Sequence, residues 1–219
     1  MFALLWKDLL IELRTKETLA SLLMLGLLIL LILSFAFDPT SELRQAAAPG
    51  VLWVAVIFAG VLGINRSLLH ERENDCLHGL LLAPIDRGTI YLAKTIANFL
   101  FMIAADLIVV PAFIFFFNLP LWTTVVRLVP VLFLGLLGFA AIGTLFAAIS
   151  LRTRAREVML PLLILPLASP LVIASVQASG VLLNDNPLHT VAHWLNLLVA
   201  FDVVFLVVGW LAFEYAVSD

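Results

Sequence analysis

The sequence predicts an all-α membrane protein that crosses the bilayer several times. Of its 219 residues, 63% are hydrophobic and 12% are charged, whereas soluble domains average about 45 to 50% apolar and about 25% charged residues. Six apolar segments reach or approach the length of about 20 residues that a helix needs to cross the hydrocarbon core. Since backbone polar groups in lipid have to be paired within their own segment, we predict six transmembrane helices.

The six predicted spans follow one another along the chain. The total length also fits one domain, so we assign residues 1–219 to a single transmembrane domain. The spans are Thr18–Phe37, Ala46–Ile64, Thr95–Phe117, Val125–Ile149, Val158–Ser179 and Ala192–Phe213.

The positively charged residues predict the orientation of these spans. Cytoplasmic loops of membrane proteins carry an excess of Lys and Arg. Most basic residues lie in the N-terminal stretch and in the intervals 66–94 and 150–157, while Arg44 and Arg127 remain for the opposite face. We therefore predict that both termini and both basic loops are cytoplasmic. The net charge of −3 gives no overall positive field for nucleic acid.

The residues before the first span predict an N-terminal interfacial helix, residues 1–17. Apolar residues recur there at helical spacing, and charged residues occupy the rest of the helix surface. A tryptophan among them suits the headgroup boundary. The alternative is an ordinary extension of the first span. The apolar positions are Phe2, Leu5, Trp6, Leu9, Leu10 and Leu13.

The interval 65–94 predicts a cytoplasmic coupling loop that contains a short amphipathic helix. Its charged residues cluster around Glu71-Arg72-Glu73, Pro84 ends the helix, and Asp86 caps the next one. Such an element, joined stiffly to two membrane helices, can transmit a partner's motion into the bilayer. The alternative is a solvated surface helix. The apolar stripe at helical spacing consists of Leu69, Leu77, Leu80 and Leu81.

Two acidic residues fall within predicted spans. Asp106 lies in the third span and Asp202 in the sixth, where an ionised side chain costs at least about 2.5 kcal/mol. Neither is expected to face lipid. Each is interpreted as neutral, paired within the bundle, or lining a polar path, and simple hydrogen bonding between helices is the alternative to a working role.

The fifth span carries three prolines, Pro161, Pro166 and Pro170. Each removes a backbone donor, so this helix is expected to kink or break. Ser169 and Ser175 are close enough in sequence to satisfy the freed groups. A hinge and a static kinked helix are both compatible with the pattern.

Small residues are frequent in the fourth span. They give it a surface on which neighbouring helices can approach closely. Packing within the bundle is the default interpretation and a subunit interface is the alternative. The residues are Gly135, Gly138, Gly143, Thr144 and Ala147.

Two histidines precede and begin the sixth span. His189 and His193 are four residues apart and would share a helix face, a spacing that a metal or haem iron can use. Interfacial packing is the alternative, because Asn184, Asp185, Asn186 and Pro187 form a typical turn sequence.

Sequence motifs for familiar catalysis are missing. The chain has no GxxxxGK[ST] phosphate loop, no HExxH zinc motif and no GxSxG nucleophile elbow. We therefore predict a protein that is not itself an enzyme, and any ATP hydrolysis would belong to a partner.

The residues after the second span resemble the first cytoplasmic loop of type 2 ABC exporter permeases. That loop has an E-R-E element, a leucine-rich turn, Pro, Arg and then Lys. More narrowly, the chain is similar to the haem exporter protein B family, the permease subunit of the cytochrome c maturation ABC transporter. The matching loop residues are Glu71, Arg72, Glu73, Leu77, Leu80, Leu81, Pro84, Arg87 and Lys94, and the family blocks are Ala48–Ala55, Gly79–Pro84 and Leu160–Pro170.

This resemblance implies a noncatalytic subunit in the bacterial inner membrane. It would couple ATP hydrolysis by a partner to haem delivery or to release of the haem-loaded periplasmic chaperone. The implied partners are a cytoplasmic ATP-binding subunit on the coupling loop, a haem-handling membrane subunit, the chaperone, a second permease copy and membrane lipid. ATP would bind the partner, haem would be cargo, and no cofactor would be bound directly. The alternatives are a permease that exports a lipid, drug or polysaccharide, and an inert scaffold. The implied coupling residues are Glu71, Arg72, Glu73, Leu77, Leu80, Pro84 and Arg87.

Overall fold

The computed structural model describes residues 16–38, 41–73, 86–150, 156–184 and 186–217. Across these residues the chain forms six long helices, one short 3₁₀ helix and no strand, which confirms the all-α class. The long helices are α1 Lys16–Ala36, α2 Glu42–Glu73, α3 Arg87–Phe116, α4 Leu121–Ser150, α5 Arg156–Leu183 and α6 Ala192–Val217, and the 3₁₀ helix is Leu188–Val191.

Five of these helices, α2 to α6, contain segments long and apolar enough to cross a membrane. The corresponding apolar part of α1, Ala20–Ala36, is shorter. A chain with this many apolar helices is a multi-pass membrane protein. A sixth crossing, by α1, stays a prediction.

The helices run alternately up and down between two ends of a bundle. At one end, here called the near end, α1, α3 and α5 begin and α2, α4 and α6 end. At the other, the far end, short connections join Ala36 to Glu42, Phe116 to Leu121 and Leu183 to Leu188. Helix α4 packs against α2, α3, α5 and α6, and its contacts with α5 and α6 are the most extensive in the bundle.

Glycines allow neighbouring side chains to reach the backbone of α4. A Cβ atom at Gly135 would lie 2.2 Å from Trp53 Cη2, and a Cβ atom at Gly138 would lie 2.3 Å from Asp202 Oδ1. These separations are far below a van der Waals contact, so any larger residue would displace its neighbour. The predicted close approach of helices on the small-residue surface of α4 is confirmed.

Helix α5 is continuous through Pro161, Pro166 and Pro170. The sequence predicted either a kink or a break at these prolines, and the helix does not break. Pro170 has no N–H to donate to the carbonyl of Pro166. Ser169 Oγ donates to that oxygen at 2.7 Å instead. Ser175 was expected to act similarly, but its Oγ is buried and has no hydrogen-bond partner among the described residues.

Several sequence predictions fall outside the described residues. These include residues 1–15 of the predicted interfacial helix, and Leu77, Leu80 and Pro84 of the predicted coupling loop. Residues 16 and 17 of the interfacial prediction belong to α1.

Candidate functional site

The predicted coupling loop lies between the near ends of α2 and α3. Helix α2 continues to Glu73 rather than ending at Ile64, and α3 begins at Arg87 rather than Thr95. Glu71, Arg72 and Glu73 therefore form the last turn of α2, and Arg87 is the first residue of α3. Both ends of the predicted loop are thus parts of the helices α2 and α3, and residues 74–85 lie between these helices in sequence. We call residues 74–85 the coupling segment.

The start of α3 is fixed by its own capping residue and by α6. Asp86 Oδ2 accepts a hydrogen bond from the Thr89 backbone N–H at 3.2 Å, which confirms the predicted cap. Arg87 Nη1 donates to the carbonyl oxygen of Glu214 at 3.4 Å. A cation near the C-terminal carbonyls of α6 is also favoured by the helix dipole.

Tyr91 anchors the first turns of α3 inside the bundle. Its side chain is fully buried, and its Oη lies 3.1 Å from the carbonyl oxygens of both Ala141 in α4 and Phe205 in α6. A Cβ atom at Gly209 would lie 2.2 Å from the Tyr91 Oη, so glycine is needed for this approach. The end of the coupling segment that enters α3 is therefore connected to α4 and α6.

Trp53 makes the corresponding connection from α2. Its Nε1 donates to Ser179 Oγ of α5 at 3.0 Å, while its ring occupies the space beside Gly135 of α4. Both Trp53 and Ser179 are buried, where a tryptophan N–H generally finds a partner. The helix that leads into the coupling segment is therefore connected to α5 and α4, at a position 20 residues before its end at Glu73.

A hydrogen bond between α3 and α4 strengthens this arrangement. Asn98 Nδ2 donates to Thr144 Oγ1 at 2.9 Å, and both side chains are buried. Polar contacts of this kind between membrane helices contribute about 0.6 kcal/mol on average. Together with Tyr91 and Trp53, this bond makes α4 the common partner of both helices that flank the coupling segment.

Both acids within the predicted spans are buried in the bundle. Asp106 is 7% exposed and Asp202 is 3% exposed. Within the described part of the chain, Asp106 Oδ2 and both carboxyl oxygens of Asp202 have no hydrogen-bond partner, so the predicted pairing is not seen there. Asp106 instead lines an apolar cavity of about 220 Å³ between α3 and α4.

The two histidines at the far end are exposed and lie on different elements. His189 belongs to the 3₁₀ helix, whereas His193 is in the first turn of α6. The 3₁₀ helix ends at Val191 and α6 begins at Ala192, so the two histidines lie in successive helical turns, and a shared face stays a prediction. The His193 ring packs against Trp194, with 4.6 Å between ring centroids. Among the described residues, no group of three or more His, Cys, Asp or Glu side chains could hold a metal ion.

Side chains of the turn before these histidines donate hydrogen bonds to backbone carbonyl oxygens at the end of α5, in agreement with the predicted turn. Asn184 Nδ2 donates to the carbonyl oxygen of Gly180 at 2.9 Å, and Asn186 Nδ2 donates to that of Val181 at 3.1 Å. Asp185 lies outside the described residues. These bonds give the asparagines a structural role at the helix terminus.

Tyr91, Asn98 and Trp53 were not predicted as functional residues. Each is a polar or amphipathic side chain in an apolar span, and this is the only feature of the sequence that could have indicated a role for it. Their partners lie far away in sequence, 126 residues in the case of Trp53 and Ser179. No local pattern identifies such a pair.

Comparison with known proteins adds a family match over the whole chain. The family model described as "CcmB protein" matches residues 1–219. The chain is also similar to three proteins named heme exporter protein B. It is 29% identical to that of Pseudomonas aeruginosa over 85% of this chain and 83% of the relative. It is 28% identical to that of Rhodobacter capsulatus over 79% of each chain, and 28% identical to that of Paracoccus denitrificans over 81% of each chain.

Proposed function

Because this chain belongs to the CcmB protein family, we propose that it is the membrane-spanning permease subunit of an ABC transporter complex for cytochrome c maturation. It is noncatalytic, and a separate cytoplasmic subunit binds and hydrolyses ATP. The complex uses that energy to deliver haem or to release the haem-loaded periplasmic chaperone. The name that the relatives share supports haem, rather than a lipid, drug or polysaccharide, as the cargo of the complex.

The coupling segment is the proposed docking site of the ATP-binding subunit. Nucleotide binding moves that subunit, and residues 71–87 move with it. If the ATP-binding subunit binds one arrangement of the helices more tightly than the other by a few kcal/mol, this difference is enough to shift the protein between them. The residues proposed to carry the contact are Glu71, Arg72, Glu73, Leu77, Leu80, Pro84 and Arg87.

One observation carries this proposal: the two helices that flank the coupling segment have separate buried anchors. Trp53 connects α2 to α5, and Tyr91 connects α3 to α6. Through α2 and α3, a displacement of residues 71–87 is proposed to reach these two helices. Chains of packed side chains and rigid helices can carry energetic coupling between distant sites.

Asp106, Asp202 and the prolines of α5 have proposed roles in the response. A helix that lacks three internal donors bends at lower cost than its neighbours, so we assign a hinge to Pro161, Pro166 and Pro170. Burial of Asp106 and Asp202 without a described partner supports a working role for these acids inside the bundle.

The proposed location is the bacterial inner membrane with both termini in the cytoplasm. The near end of the bundle then faces the ATP-binding subunit. The far end faces the periplasm, where the chaperone acts. A haem-handling membrane subunit and a second copy of this chain are proposed to pack against the apolar outer faces, with lipid around the remainder.

A charge reversal on the last turn of α2 tests the coupling role. Glu71→Lys is expected to leave membrane insertion intact, because Glu71 lies beyond the apolar core of α2, and to reduce ATP-dependent release of the loaded chaperone. The assay uses the complete complex in proteoliposomes and measures ATPase rate and chaperone release together. Glu42→Lys is the matched control, since it makes the same change at the exposed far end of the same helix. Equal chaperone release by Glu71→Lys and wild type would contradict the assignment.

A further inference from the structure

A cavity of about 550 Å³ opens at the far end of the bundle, away from the coupling segment. Its walls come from the start of α2, the turn between α3 and α4, the start of α4 and the end of α5. Polar side chains such as Gln45, Asn118 and Asn184 share these walls with the apolar side chains of Phe117 and Leu119. A volume of several hundred Å³ with mixed walls is typical of ligand-binding cavities.

Arg44 is held in this cavity on two sides. Its Nη2 donates to the carbonyl oxygen of Phe116 at 2.5 Å, and its guanidinium carbon lies 5.1 Å from the centre of the Phe117 ring. Its Nε is buried and has no hydrogen-bond partner among the described residues. These two contacts fix the guanidinium group of Arg44 at the cavity wall.

Arg127 lines the same cavity from α4. Its Nη1 donates to the carbonyl oxygen of Leu182 at 3.5 Å, at the end of α5. Arg44 and Arg127 thus each bind the carbonyl end of one helix while facing one shared space. Guanidinium groups held in place in this way are suited to carboxylate and phosphate oxygens, which accept their planar arrangement of N–H donors.

An exposed tryptophan beside the cavity indicates that the cavity lies at the depth of lipid headgroups. Trp122, in the first turn of α4, is 78% exposed beside Thr123 and Thr124 of the cavity wall. Exposed tryptophans of membrane helices are enriched where hydrocarbon meets water. Helices α2 and α4 also begin at this cavity, so the positive ends of their dipoles favour an anion there.

We propose that this cavity binds the oxyanion group of an amphiphile, with Arg44 and Arg127 as its cationic contacts. The oxyanion is a phosphate or a carboxylate, and the apolar part of the ligand lies against Phe117 and Leu119. Two sources carry this chemistry: a phospholipid headgroup and a porphyrin with carboxylate side chains. The site is independent of the coupling segment, so a negative result with Glu71→Lys would leave this proposal standing.

Thermal unfolding of the full-length chain in a maltoside detergent, which contains no phosphate or carboxylate, tests the proposal. The two probes are short-chain phosphatidylglycerol for the lipid source and haemin for the carboxylate source. Haemin dimethyl ester is the control for haemin, because esterification removes its carboxylates. A ligand that binds the folded state raises the unfolding temperature. We expect at least one probe to raise it, and haemin, if it is that probe, to act more strongly than its ester.

Variants then assign the effect to the arginines. Arg44→Gln and Arg127→Gln are each expected to weaken the apparent affinity of the active probe about tenfold or more, as for loss of a charged hydrogen bond. Arg66→Gln is the control, since it removes an equal charge from the same helix as Arg44, 22 residues or about 33 Å away. It is expected to bind the probe like wild type.

Three outcomes would overturn the proposal. They are no stabilisation of the wild-type chain by either probe, stabilisation that survives both arginine changes, and equal effects of haemin and its ester without an effect of the lipid. If Arg44→Gln fails to fold, Arg127→Gln and Arg44→Lys replace it. The lysine keeps the charge but not the planar donors, so Arg44→Lys is expected to bind more weakly than wild type, and unchanged binding would count against the site.

Discussion

Trp53 of α2 donates its indole N–H to Ser179 Oγ of α5 across 3.0 Å, inside the apolar core of the bundle. The bond joins the helix that leads into the coupling segment to the helix that carries three prolines. In the same place the Trp53 ring lies over the backbone of α4 at Gly135. One side chain therefore connects three helices.

Loss of the indole donor tests this connection. Trp53→Phe keeps a large ring but removes the N–H, and Ser179→Ala removes the acceptor. Each is expected to lower the free energy of unfolding by about 1 kcal/mol, of which about 0.6 kcal/mol is the interhelical bond itself. Unfolding measurements on both single variants and the double variant give the coupling energy. Strict additivity of the two changes would show that the bond does not contribute.

A methyl group on the central helix tests the tight contact at Asp202. Gly138→Ala introduces a Cβ atom 2.3 Å from Asp202 Oδ1, so we expect a loss of about 1 to 3 kcal/mol from overpacking. Gly50→Ala is the matched control, because a Cβ atom there meets nothing within 4 Å. Thermal unfolding of both variants in the same detergent makes the comparison. Equal stability of the two variants would rule out the close approach of α6 to α4.

Removal of one phenolic hydroxyl tests the anchor of α3. Tyr91→Phe leaves the ring in place but withdraws the donor from the carbonyls of Ala141 and Phe205, and we expect a loss of about 1 kcal/mol. Tyr215→Phe removes the same group from a residue that is 80% exposed and is expected to have no effect on stability. The same pair is compared for ATP-dependent chaperone release in the complete complex, where only Tyr91→Phe is expected to reduce coupling.

Restoring a backbone donor in α5 tests the proposed hinge. Pro166→Ala allows an N–H at this position to reach the carbonyl of Leu162, which stiffens the helix and is expected to maintain or raise its stability. If α5 bends during the cycle, chaperone release falls although the protein is at least as stable. Pro130→Ala makes the same change in α4, which has no proposed hinge. Full activity of Pro166→Ala together with increased stability would favour a static helix.

The hydropathy of the chain predicts most of the fold but misplaces the end of α2 and the start of α3. Predicted and observed bounds of α4 and α6 agree within a few residues, because each helix consists mainly of one long apolar run. Helix α3 begins at Arg87, well before the predicted Thr95. The reason is that Lys94 and Tyr91 are buried within the bundle, so tertiary contacts accommodate polar residues that a hydropathy criterion excludes.

The candidate site is predictable only in part for a related reason. A helix cap such as Asp86 depends on residues within one turn and can be found by local pattern. The bond of Asn98 to Thr144 and the convergence of Arg44 and Arg127 on one cavity depend on which helices become neighbours. Which helices become neighbours depends on the whole chain and cannot be read from the sequence of one span.

The Tyr91 hydroxyl has one hydrogen and faces two acceptors at equal distance, the carbonyl oxygens of Ala141 and Phe205. Rotation about the bond between ring and oxygen transfers that hydrogen from one carbonyl to the other while every heavy atom stays where it is. If α4 and α6 shift by a few tenths of an ångström relative to each other, α3 can thus remain attached to whichever is nearer. The junction can therefore follow small sliding movements by exchanging one carbonyl acceptor for the other.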